Sequence, residues 1–365
     1  MKYNKKILIC SLFIIISITI LIVISRNSTK TFNYKGSTIA LTVDGNSAAT
    51  FPTSGKYNVN VNCNNAKGRW NPKTWKLEIT KITGTVTCDV SFNSSVTNLT
   101  TQVNNKATRD ENGKRYQGKN PDNYIWFNDE LWRIIGDIPV CLESGCATTQ
   151  NRVKIIRNES IGAIVYNQTN YSSSSPLTWL GSNIQNLLNS CYLGKQSSCD
   201  SYCYSDSNTA KGTCDYSSDG IDVTDFYGKM VEDVYFNVGA GDSTYKTAAN
   251  YYTQEIATHA TSTSKIGLMY ASDWGYAIEG FTRVLGDSGK PQNSSDKNWL
   301  YSNGYEWTMS AYSSSYPLFV SNSGHLDTNF TAWDGNAARP VLYLKSNVYV
   351  VSGNGTKVDP YRIGM

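Results

Sequence analysis

The chain has 365 residues, with 33 Lys or Arg against 29 Asp or Glu and a formal net charge of +4. Lys2, Lys5 and Lys6 supply three of the positive charges at the amino end, so the rest is nearly neutral and offers no basic stripe for nucleic acid. Only two histidines are present, His259 and His325, which leaves no material for a three-histidine metal centre and just two places for a histidine general base.

From Ile7 to Ser25 the sequence runs without a charge. As a helix it would span about 28 Å, enough to cross hydrocarbon. The run ends in Ile-Ser-Arg without the small-residue site of a cleaved signal peptide, which predicts an uncleaved transmembrane signal anchor over residues 1–30. The lysines ahead of the run place the amino terminus in the cytoplasm by the positive-inside bias. The expected location is therefore the cell membrane, single-pass, with the bilayer as partner through 7–25 and the bulk of the chain extracellular. Cys10 lacks the small residue and longer leader that a lipid-modified cysteine needs, and reads as a helix residue.

Residues 31–93 read as a small β-sandwich of Ig-like type. Tyr57, Val59, Val61 and Cys63 alternate with polar residues, as do Trp75, Leu77 and Ile79, then Val86, Cys88, Val90 and Phe92. Both cysteines fall on apolar faces of different strands, which predicts an inter-sheet bridge. Residues 94–119 are polar and read as a linker.

Residues 120–365 read as a mixed α+β domain, so that the fold class is α+β, mostly β. YIWFNDELWRIIG predicts a hairpin around Asn128-Asp129, and VKIIRNESIGAIVY a further β segment. Leu177, Leu180, Ile184, Leu187 and Leu188 recur at helical spacing. A Cys-, Ser- and Tyr-rich insertion at about 190–220 reads as an exposed loop held by its own bridges. Short apolar runs then lead to Arg339-Pro340, a strand over Val341–Tyr343, and a turn at Gly353-Asn354-Gly355.

Apart from Cys10, the cysteines are even in number: Cys63, Cys88, Cys141, Cys146, Cys191, Cys199, Cys203 and Cys214. Disulfides persist in oxidising compartments, which agrees with the topology. Locality pairs Cys63 with Cys88, Cys141 with Cys146, and the last four among themselves. Free thiols, or a zinc cluster built on Cys199 and Cys203 with Cys191 and Cys214, are the alternatives.

The sequence assigns no catalytic residue, metal or cofactor. Asp215, Ser217, Asp219 and Gly220 begin like a calcium loop, but Phe226 stands where the bidentate carboxylate belongs. Trp333-Asp334-Gly335-Asn336 has the wrong order for a sugar-binding calcium site. Neither histidine lies in a nucleophile-elbow or triad signature. The acidic pairs Asp129-Glu130 and Asp273 near Glu279 are of a kind any such chain contains. Tyrosine is abundant, at 25 residues, and the candidate ligand-binding aromatics are Trp274, Tyr276, Tyr305, Trp307, Tyr312 and Trp333.

NYIWFNDELWRIIG, VKIIRNESIG, KIGLMYASDWGYA, YEWTMS and ARPVLYLKSNVYVVSGNGTKVDPYRI together resemble a family of uncharacterised surface proteins of Gram-positive bacteria. GRWNPKTWKLEI and TVTCDVSF are similar to the small β repeat domain that often precedes it. That resemblance implies a surface location and no specific activity. More distantly, YEWTMS followed by Ala-Arg-Pro-Val resembles the end of C-type-lectin-like domains of the formylglycine-generating type. Those enzymes use late cysteines, and none follows Cys214 here, so their redox chemistry does not carry over. The resulting expectation is a non-catalytic binding or adhesion module for an extracellular glycan or protein. A cell-envelope hydrolase and a structural envelope component are the alternatives.

Overall fold

The computed structural model describes residues 18–23, 31–53, 57–167, 179–204, 211–241, 246–279, 297–313, 316–328 and 335–365. The chain forms two units, Met1–Thr97 and Asn98–Met365. The described residues are mostly β with a few short helices, an α+β architecture.

The alternation read in the first unit becomes a sheet in the order Ile18–Val23, Thr31–Val43, Thr87–Ser94, Tyr57–Cys63, with Asn46–Ser47 beside Thr31–Val43. Thr31–Val43 and Thr87–Ser94 run parallel; the other pairs are antiparallel. The inward set Val86, Cys88, Val90 and Phe92 is buried. A separate hairpin, Lys67–Asn71 with Lys76–Thr80, covers that face. Its Trp70 meets Phe92 edge-on, ring centroids 4.7 Å apart.

The expected bridge between sheets is corrected. Cys63 and Cys88 are bonded, but they are directly opposed partners on neighbouring strands of one sheet, with Cα atoms 4.1 Å apart. Both strands present the cysteine on the same face, and the second layer is contributed by the hairpin. Gly68 allows that layer to close: a Cβ there would lie 2.5 Å from Cys63 Sγ and 2.4 Å from Val61 Cγ1.

Most of the segment expected to cross a membrane, 7–25, with Cys10, lies outside the described residues; Ile18–Val23 is a strand paired with Thr31–Val43. Among the described residues no helix is long and apolar enough to cross a membrane.

In the second unit, the expected linker 94–119 is corrected from residue 98 onward. Leu99–Lys106 is a helix whose Asn98 side chain accepts from the Thr100 N–H, with Leu99 and Val103 buried. Two apolar residues at i and i+4 suffice to dock a polar helix. Lys114–Arg115 then joins a seven-stranded sheet in the order Ile266–Gly267, Val341–Leu344, Gln150–Arg157, Glu130–Val140, Lys114–Arg115, Arg109–Asp110. Tyr124–Phe127 pairs with Glu130–Val140 through the expected turn at Asn128 and Asp129, both at positive φ (53° and 59°).

A second sheet runs Lys211–Cys214, Cys199–Tyr204, Ala163–Val165, Gly335–Ala337, Glu306–Ser313, Tyr316–Val320, Leu326–Asp327. The cysteine-rich segment is therefore not a separate exposed loop. Cys203 pairs with Ile164 in this sheet, and Cys191, Cys199, Cys214, Tyr192 and Tyr216 are buried in the main core. The helix expected near 184 is reduced to Asn183–Asn186, continuing as a π turn, Leu187–Cys191.

Candidate functional site

Among the described residues of the second unit, four ionisable side chains gather in its interior. Arg115, Lys154, Asp273 and Glu255 are all buried. Arg115 and Lys154 come from neighbouring regions of the first sheet, Asp273 from the helix Ala271–Tyr276, and Glu255 from the last turn of the helix Ala248–Glu255. Asp273 collects three donors: Arg115 Nη1 to Oδ1 at 2.8 Å, Lys154 Nζ to Oδ2 at 2.5 Å, and the Tyr270 N–H to Oδ2 at 2.9 Å. Lys154 Nζ also lies 4.1 Å from the Tyr270 ring centroid and 5.4 Å from that of Tyr343. Glu255 accepts from the Ser272 N–H at 3.1 Å, from Ser310 Oγ at 2.5 Å and from Ser272 Oγ.

The electrostatics follow from burial and pairing. Burial pushes the Lys154 ammonium below its usual range, although Asp273 opposes this. Burial alone would raise Asp273, but Lys154 and Arg115 outweigh it and hold that carboxyl below the usual carboxylate range. Glu255 is pushed up by burial, against its serine hydrogen bonds.

Two further clusters surround the histidines. Cys141 is bonded to Cys146, and Cys141 Sγ lies 3.5 Å from His259 Nδ1, which is 2.9 Å from Asn237 Oδ1. With both sulfurs in the disulfide there is no thiolate to hold a metal ion; reduced, the three residues would offer two sulfurs and one nitrogen. His325 sits in a turn. Its Nδ1 is 3.0 Å from Ser321 Oγ and 2.7 Å from Ser323 Oγ, and its Nε2 is 3.6 Å from Asp327 Oδ2. This Ser–His–Asp contact set is not a recognised local signature. The contacts arise because the chain reverses here, the Gly324 N–H donating to the Ser321 carbonyl and the Ser321 N–H to the His325 carbonyl, each at 2.9 Å, so no spacing in the sequence announces them.

The aromatic set predicted for ligand binding is largely dispersed. Trp274, Tyr276 and Trp307 are core residues, and this part of the expectation is corrected: a ring enclosed on all sides cannot stack on a ligand. Trp307 Nε1 donates to the Ile164 carbonyl at 2.7 Å. Tyr305 is 39% exposed, Tyr312 is half-buried against the core, and Trp333 lies outside the described residues. The acidic pairs separate as well. Asp273 enters the buried cluster without Glu279, and Glu130 forms a bidentate pair with Arg157. Asp215 and Asp222 each accept from the backbone and hydroxyl two residues ahead, at Ser217 and Thr224.

The eight cysteines form four pairs: Cys63–Cys88, Cys141–Cys146, Cys191–Cys199 and Cys203–Cys214. Comparison with protein-family models, with curated proteins and with solved structures finds no match.

Proposed function

We propose that this is a membrane-anchored bacterial cell-surface protein that acts as a non-catalytic binding or adhesion module for an extracellular glycan or protein. The observation that carries the reading is the pairing of all eight cysteines outside the leading apolar run. Four disulfides in one chain suit an oxidising exterior. The apolar run from Ile7 to Ser25 is the proposed anchor, which requires Ile18–Val23 to exchange its pairing with Thr31–Val43 for the bilayer, and the resemblance to Gram-positive surface proteins points the same way. Within this reading the first unit is Ig-like and the second C-type-lectin-like, and Tyr305 with Tyr312 forms part of the contact surface. Large amphipathic rings suit such contacts because they bring much area at low entropic cost. Binding of the purified full chain to arrayed bacterial and host glycans and matrix proteins, lost on Tyr305→Ala, is the expected outcome. No binding to any of them by folded, oxidised protein would leave the structural envelope alternative in its place.

The contact of Ser321 and Ser323 with His325 and Asp327 favours a second reading, a hydrolase. A fluorophosphonate probe decides it. The binding reading predicts no labelling; labelling abolished by Ser321→Ala or Ser323→Ala would establish the hydrolase.

A further inference from the structure

We propose that Lys154 and Asp273 become joined by an intramolecular isopeptide bond, formed without any co-reactant in the folded second unit. The carrying observation is the contact of Lys154 Nζ with the Asp273 carboxylate at 2.5 Å, with both side chains enclosed at 0% and 1% exposure. Held reactants dispense with the entropic cost of encounter. Enclosure also keeps bulk water away from the product.

The surrounding groups match the step. Transfer of one proton from the ammonium to Oδ2 along their contact gives a neutral amine and a carboxylic acid. Burial favours the neutral amine while Arg115 favours the ionised carboxyl, so the exchanged form is a minor population from which the slow step proceeds. The amine nitrogen then attacks Asp273 Cγ. Negative charge develops on Oδ1, where Arg115 Nη1 already donates at 2.8 Å, an arrangement that stabilises a tetrahedral oxyanion. The C–Oδ2 bond breaks and Oδ2 departs as water. Of the three protons on the ammonium, one remains on the amide nitrogen and two leave in the water, so atoms and charge balance.

Arg115 is not stranded by the loss of its carboxylate partner. It keeps donating to the Glu111 and Asn112 carbonyls and lies 4.5 Å from the Tyr276 ring centroid. The covalent link would tie the strand Gln150–Arg157 to the helix Ala271–Tyr276. Such a tie suits a domain that carries load, whichever ligand it holds.

Mass spectrometry of the purified full chain tests the bond. After complete reduction and alkylation, the chain is expected to be lighter than its sequence requires by one water. Trypsin is expected to leave Lys154 uncut and to release Val153–Arg157 joined to Ile266–Arg283. Full sequence mass, with cleavage after Lys154 and the two peptides recovered separately, overturns the proposal. A missing water without the joined pair overturns it too, since dehydration elsewhere gives the mass change alone. The Lys154→Met chain should regain the water; because the wild-type peptide map decides by itself, misfolding of that variant does not rescue the proposal.

Discussion

Arg339 and Glu306 form a bidentate ion pair inside the second unit, Nε to Oε1 at 2.7 Å and Nη2 to Oε2 at 2.9 Å, with side chains 6% and 2% exposed. Arg339 also donates to the Leu300 carbonyl at 2.6 Å, and Ser302 Oγ donates to Glu306. The pair joins the YEWTMS and ARPV segments, which are far apart in sequence. Removing one partner strands a buried charge. Glu306→Ala is expected to destabilise the second unit by about 3–5 kcal/mol, measured by chemical denaturation. Arg339→Lys should lose much of the same stability, because an ammonium cannot reproduce the planar fork.

The Cys63–Cys88 bond closes a loop with a sequence separation of 25 within a small unit. The Cys63→Ser, Cys88→Ser double variant is expected to lose about 3 kcal/mol from that unit. Its melting, followed through the near-ultraviolet signal of Trp70 and Trp75, should move down while the second unit's transition stays in place.

Glu255 is hydrogen-bonded to Ser272 and Ser310 and pushed toward its neutral form by burial. Glu255→Gln keeps the size and the acceptor, and is expected to cost under about 1 kcal/mol. Glu255→Ala leaves buried hydroxyls without their acceptor and is expected to cost about 2–4 kcal/mol. Equal losses for the two would show that the carboxylate charge itself is needed.

His259 is lowered by burial from the ordinary histidine value of 6.5. The unfolded chain therefore takes up its proton first on acidification. The stability contribution is fully present above pH 6.5 and is lost as pH falls through that value toward the lower folded pKa. Thermal midpoints between pH 7.5 and pH 5 should fall, and the slope should be smaller in His259→Gln.

How far the sequence was legible depends on the period of the signal. The strands around Val59, Val90, Ile155 and Val341, and the hairpin at Asn128-Asp129, were readable because period-two alternation and a turn dipeptide are local. Cys63–Cys88 and Cys141–Cys146 were readable from nearness; the pairing among Cys191, Cys199, Cys203 and Cys214 was not, because several partners lie equally near. Which sheet Cys63 and Cys88 share was not, since alternation fixes a face but not a neighbour. The helix Leu99–Lys106 was hidden by polar composition, its docking resting on Leu99 and Val103 alone. The ionic cluster was also hidden: Arg115, Lys154, Glu255 and Asp273 come from distant segments, and no spacing announces a contact made only by tertiary packing. Trp274 and Trp307 were misassigned to a surface because an aromatic's type does not reveal its exposure.

The proposed function requires a disulfide-stapled protein of an oxidising exterior, and titration of thiols tests this most directly. Protein taken from its native cells, alkylated at once and denatured without reductant, is expected to present at most one titratable thiol, that of Cys10. Finding all nine cysteines of the chain reactive would contradict the account.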